Sequence, residues 1–271
     1  MAAPVFRSEL ADGIRQGLLA GATVVVILFP TLLNSTLESD LNSRNLRATE
    51  NVSTAKSTPR YADFSYFSPS ADAFYVANWI ADSVDNAGSD FILVDKKHAS
   101  VLVFDAHARL RAASPVLLGG AVGDEGVPDI GSRPLDQVKP EERTTPAGRF
   151  MGERGRNARG EDVVWVDYDA AVSMHRVLTL HPEERRLERL ASETVADNRV
   201  SWGCINVPVA FYETHIRPIF AKSRALIYVL PEVKPLQSVF NAYDVQTKYA
   251  QKIVFDRTKP LNQASHQLAF D

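Results

Sequence analysis

Residues 16–37 carry no charged side chain, and the stretch from Gly17 to Leu33 is almost entirely apolar. A helix needs about 20 apolar residues to cross a hydrocarbon layer, so the run is long enough to span one. Arg7 and Arg15 precede it, the flank expected of an export signal or of an anchor whose N-terminus stays in the cytoplasm, although Glu9 and Asp12 dilute that charge. Beyond the run, Leu33-Asn34-Ser35-Thr36-Leu37 lacks the small-residue spacing of a cleavage site. Residues 1–37 therefore read as an uncleaved anchor first, a signal peptide second and a buried helix third. Residues 38–69 are mostly polar and read as a linker.

Helical spacing begins at residue 70. Phe74, Ala77, Trp79, Ile80, Ala81 and Val84 recur between Asp72, Asp82 and Asp85, with Ser70 placed as an N-cap and Gly88 as a stop, which predicts a helix within 70–89. Phe91-Ile92-Leu93-Val94-Asp95, Val101-Leu102-Val103-Phe104 and Arg111 to Leu118 then read as short strands separated by polar turns, an antiparallel meander. Gly119 to Glu142 is rich in Gly, Pro and Asp and reads as a long surface loop. Strand character returns at Val163–Val166 and Val172–Leu180. A short charged helix is expected from Pro182 to Leu190, another helix over Ala210–Ile219, and a buried strand over Ala225–Leu230. The pattern fits one mostly-β domain with a few helices over 90–232, followed by a weakly patterned tail, 233–271.

Composition narrows the function. Apolar residues at 45% and charged residues at 23% are ordinary for a globular domain, and a formal net charge of −3 gives no reason to expect a nucleic-acid partner. The six histidines form no HExxH pattern and there is no CxxC pair, so no metal site is expected. Cys204 is the single cysteine. Alone it forms no intramolecular disulfide, and its plainest reading is a small buried hydrophobe. In an exported protein, however, an unpaired thiol stands out, because such compartments oxidise exposed thiols.

The segment around it changes the balance. Ser201-Trp202-Gly203-Cys204-Ile205-Asn206 resembles the [ST]-H-G-C-h-[NR] signature of L,D-transpeptidases, the YkuD-like family, at every position except Trp202. Thr145-Pro146-Ala147-Gly148-Arg149-Phe150 resembles that family's upstream T-P-x-G-x-[FY] stretch, and the resemblance extends over roughly Asp90 to Leu230. It implies a YkuD-like β-sandwich catalytic domain in which Cys204 is the nucleophile. The family's base is a histidine on the strand upstream, a place that His175 fits, with His181 as the competitor. The distance from His175 to Cys204 exceeds the family's usual spacing, and the charged stretch from Pro182 to Arg199 reads as an inserted flap. Arg176 follows His175 where the family often has glycine.

The chemistry has its own requirements. Acyl transfer needs a nucleophile, a base that makes it a thiolate, and donors for an oxyanion. The backbone N–H groups of Gly203 and Cys204 are candidates for those donors. Ser201, Trp202 and Asn206 frame the nucleophile loop; Ser201 and Asn206 serve equally well as turn stabilisers. Arg149, Arg143 and Arg176 are weaker candidates for holding stem-peptide carboxylates.

What the resemblance implies is transfer of a peptidoglycan tetrapeptide stem through a Cys204 thioester to an amine. Two alternatives stand beside it. One is hydrolysis by the same site, as an L,D-carboxypeptidase or amidase. The other is a catalytically silent wall-binding module, suggested by Trp202. No cofactor is needed for thiol acyl transfer. The implied partners are peptidoglycan stem peptides, the inner membrane through the N-terminal helix, and carbapenem-type β-lactams as inhibitors. The implied location is the periplasmic side of the cell envelope.

Overall fold

A computed structural model describes residues 58–134 and 137–258. The apolar run at 16–37 lies outside them, as does most of the expected linker. Among the described residues no helix is long and apolar enough to cross a membrane.

The first helix, α1 (Ala71–Ser83), starts as expected: Ser70 Oγ accepts the Ala73 N–H at 3.0 Å. It stops earlier than expected. Val84, rather than Gly88, adopts the left-handed conformation that ends it, with φ 58°. Strands β1 (Phe91–Asp95), β2 (Ser100–Phe104) and β3 (Leu110–Pro115) follow as an antiparallel meander. The other strands are β4 (Leu118–Gly119), β5 (Gly148–Arg156), β6 (Asp162–Asp167), β7 (Val172–Arg176), β8 (Arg199–Ser201), β9 (Ile205–Val207) and β10 (Ala225–Val229).

Eight of these strands form one sheet in the order β3-β2-β1-β10-β5-β6-β7-β9. It is mixed rather than a pure meander, because β1 pairs with β10, and β7 with β9, in parallel. The mostly-β domain with a few helices is as expected, and its β-sandwich takes the form of a barrel-like sheet that curls round its own core. Ile92, Val94, Val101 and Val103 from one end of the sheet share a buried cluster with Val164, Val172, Met174, Ile205 and Val207 from the other. Leu117 and Asn206 exchange backbone hydrogen bonds of 2.9 and 2.8 Å and join the two ends.

β1 is apolar at successive positions because both of its faces are covered. Ile92 and Val94 face the barrel core, whereas Phe91 and Leu93 face an outer layer with Val76, Ala77, Trp79 and Ile80 of α1. That outer layer also recruits segments expected to lie outside the domain. Residues 58–69, read as the end of a linker, pack onto it: Phe64 is buried and meets Phe104 edge-on, and the Asp63 N–H bonds the Ala108 carbonyl. The expected tail contributes α4 (Leu236–Val239) and α5 (Val245–Thr258), preceded by buried Phe240.

The flap holds a turn at Pro182–Glu184 and helix α2 (Arg186–Ala191). Helix α3 runs through Val209–Phe211, Tyr212–Ile216 and Arg217–Lys222, its middle part π-helical. Pro218 lacks an N–H and its ring crowds the carbonyl four residues back, which explains the widened turn before it.

Candidate active site

Cys204 sits in the turn between β8 and β9 and is partly exposed. The parallel pairing of β7 with β9 sets Met174 against Ile205 and His175 against Asn206, so the imidazole arrives beside the nucleophile turn. The His175 imidazole lies close enough to the Cys204 thiol for the two to influence each other electrostatically. Its Nδ1 lies 2.7 Å from the Arg176 carbonyl. A carbonyl only accepts, so Nδ1 carries the proton and Nε2 is left to take the thiol's.

The electrostatics follow from this contact. Burial by itself would raise the Cys204 pKa, but the hydrogen bond and charge of His175, helped by Ser173, pull it below the ordinary thiol value. Burial would lower the His175 pKa, but the contact with Cys204 and the Arg176 carbonyl raises it above the ordinary value. Both directions favour a thiolate–imidazolium pair. Ser173 Oγ, 3.6 Å from Sγ, and the Ala171 carbonyl, 3.8 Å away, complete the surroundings of the sulfur. Ser173 was missed in the sequence, although it lies two residues before His175 on one strand and so shares its face.

The turn itself is held from several sides. Ser201 Oγ donates to the Cys204 carbonyl at 2.6 Å and accepts the Gly203 N–H at 3.1 Å. That commits the Gly203 N–H, one of the two donors expected for an oxyanion. Asn206 Nδ2 also reaches the Cys204 carbonyl, at 3.2 Å, while its Oδ1 takes a 2.6 Å bond from Arg186 on α2 and so ties the flap to the turn. Gly203 has φ +124°, and a Cβ there would come within 2.7 Å of the Thr144 carbonyl oxygen. Only glycine fits.

Trp202 lies under a guanidinium: Arg143 Cζ stands 3.7 Å from the indole centroid, a cation–π stack beside the thiol's turn. The remaining candidates go elsewhere. His181 is exposed and pairs with Glu183 at 3.1 Å, so it is not the partner of the thiol. Arg149 grips Asp85 at 2.6 Å, just past α1, and serves packing rather than this site. Arg176 is clamped by Glu213 at 2.6 Å and Asp162 at 3.1 Å above the Tyr212 ring. Its carbonyl, not its guanidinium, takes part in the arrangement round His175.

Comparison with known proteins gives a likeness at the level of structure. No protein-family model matches the chain, and no curated protein matches it. Among solved structures, an L,D-transpeptidase from Mycobacterium smegmatis is similar at 14% identity, covering 52% of this chain and 58% of that one, with a TM-score of 0.31. The helical cell shape determining protein Pgp2 from Campylobacter jejuni is similar at 12% identity, over 62% of this chain and 56% of that one, with a TM-score of 0.37. An L,D-transpeptidase in complex with imipenem is similar at 15% identity, over 52% of this chain and 59% of that one, with a TM-score of 0.30. The chain thus spans less than two thirds of the length of each of these three.

Proposed function

We propose that the domain is a cysteine acyltransferase of the L,D-transpeptidase type, acting on peptidoglycan stem peptides on the outer side of a membrane to which residues 16–37 anchor it. The observation that carries this reading is the parallel register of β7 and β9, which brings His175, its tautomer fixed by the Arg176 carbonyl, beside the turn that holds Cys204. The two sequence motifs support it: Ser201–Asn206 forms the turn that carries Cys204, and Thr145, which opens the other motif, donates to the Gly203 carbonyl in that turn.

In this mechanism the Cys204 thiolate attacks the carbonyl before the terminal D-residue. The carbon–nitrogen bond breaks, and the departing amine takes the proton held on His175. An amine on a second stem then attacks the thioester and gives its proton to His175, and the thiolate leaves. Incubation with purified muropeptides followed by mass spectrometry tests the proposal. Crosslinked dimers support transfer, whereas shortened monomers point to water as the acceptor. Intact-mass analysis after exposure to imipenem supplies the second arm. An adduct that is lost in Cys204→Ser supports a working nucleophile. No adduct on the reduced native protein would make the domain a silent binding module shaped by Trp202.

A further inference from the structure

Thr145 is fully buried, and its hydroxyl does two things. It accepts the Gly119 N–H at 2.9 Å and donates to the Gly203 carbonyl at 2.8 Å. Its own carbonyl takes Lys96 Nζ at 2.7 Å. Lys96 is likewise fully buried, and its ammonium also reaches the Gly123 carbonyl at 2.5 Å, Asp124 at 2.7 Å and Glu232 at 3.5 Å. Asp124 accepts the backbone N–H groups of Glu232, Val233 and Lys234 at 2.8, 2.8 and 2.6 Å. Arg199, at the start of β8, bonds the Lys96 carbonyl at 3.0 Å and pairs with Glu232.

Two buried charged groups, Lys96 and Asp124, and two partly buried ones, Arg199 and Glu232, therefore lock together the end of β1, the loop after β4, the entry to β8 and the segment after β10. Charge-assisted bonds away from water are strong and directional, so Thr145 is held as a fixed wall. The proposed chemistry makes no direct use of this ammonium.

The wall faces the nucleophile turn. A trans peptide holds its C=O and N–H on opposite sides. Fixing the Gly203 carbonyl on Thr145 turns the N–H of the same peptide unit, that of Cys204, away from the wall. The positive φ of Gly203 makes this orientation accessible. With the Gly203 N–H committed to Ser201, the Cys204 N–H is the donor of this turn that faces the other way.

We propose that Thr145, fastened by Lys96, is a positioning residue that orients the Gly203–Cys204 peptide so that the Cys204 N–H stabilises the oxyanion of thioester formation. This rests on the reading of Cys204 as the nucleophile. As sulfur bonds to the carbonyl carbon, the π electron pair moves onto oxygen, where the N–H meets it. The pair returns as the carbon–nitrogen bond breaks and the amine leaves with the proton from His175.

Two rates on the full chain separate this role from a merely structural one. Acylation of Cys204 by imipenem passes through an oxyanion; alkylation by iodoacetamide displaces iodide and does not. Both are measured at a pH where the wild-type thiol is ionised. For Thr145→Val the expected result is acylation about a hundredfold slower, the usual loss for one oxyanion donor, with alkylation unchanged. Thr145→Ser should restore acylation. Near-UV circular dichroism checks the fold. If Thr145→Val does not fold, Thr145→Ala carries the same comparison.

Acylation at the wild-type rate, or a parallel fall in both rates, overturns the proposal while leaving the nucleophile in place. A wild-type protein that imipenem does not acylate overturns the nucleophile and this role together.

Discussion

Burial alone would make Cys204 an inert thiol, and the contact with His175 reverses that sign. The rate of alkylation against pH should therefore show a midpoint below the ordinary free-thiol value of about 8.5. His175→Asn should move the midpoint above it, because desolvation then outweighs the smaller pull of the Ser173 hydrogen bonds that remain. A wild-type midpoint at the ordinary value would show that the pair does not form. The same substitution should slow acylation by imipenem by about a hundredfold or more, the usual contribution of a base. At this scale the sequence was informative where chemistry dictates residue type. The motif marked Cys204 and Gly203, and strand position singled out His175 over His181. The fates of Arg149 and Arg176 were not legible, because Asp85 and Glu213, which hold them, are remote in sequence and nothing local marks them as partners.

Elements were legible where their residues pack on both faces and hidden where a neighbour fills the space. β1, β2 and β10 stand out as apolar runs. β5, with the sequence GRFMGERGR, shows no such run, yet it pairs with both β10 and β6. Gly152 explains why: a Cβ there would meet the Phe220 ring at 2.6 Å and Ile227 Cδ1 at 2.7 Å, so the core beside β5 is filled from α3 and β10. Gly152→Ala should destabilise the fold by about 1–3 kcal/mol, measurable by urea denaturation.

The docking of α5 on α1 was equally invisible in the sequence because the side chains that tie it to Asp82 are polar. Asp82, at the end of α1, accepts hydrogen bonds from Lys248, Tyr243, Tyr249 and the Arg60 N–H. Burial would raise its pKa, but these bonds hold it at about 2. A folded value below the unfolded one means that the stabilisation is complete above the ordinary carboxylate range and is lost as pH falls toward about 2. Asp82→Ala should cost about 2 kcal/mol at neutral pH in thermal or urea unfolding, with the difference from wild type shrinking in acid.

Across the whole molecule, the network round Lys96 joins segments that are scattered in sequence. Nothing local announces it: Lys96 looks like one residue of a polar turn, and Asp124 and Glu232 lie in loops. Its position makes it a point of vulnerability. Lys96→Met leaves Asp124 and Glu232 short of a cation inside the protein and should cost about 3–5 kcal/mol, read from the urea midpoint. Replacing both Lys96 and Asp124 by apolar residues should recover part of that loss, because no lone carboxylate then remains at the Asp124 position. The barrel-like closure was also out of reach of local pattern, since it depends on Leu117 meeting Asn206.

That meeting has a consequence for when the protein becomes competent. Asn206 belongs both to the joint where the sheet meets itself and to the turn that carries the sulfur. A chain whose ends have not yet met lacks the scaffold on which thiol and imidazole are aligned. A half-folded molecule therefore has no aligned thiol and imidazole until that joint closes, and the thiol's reactivity reports its closure.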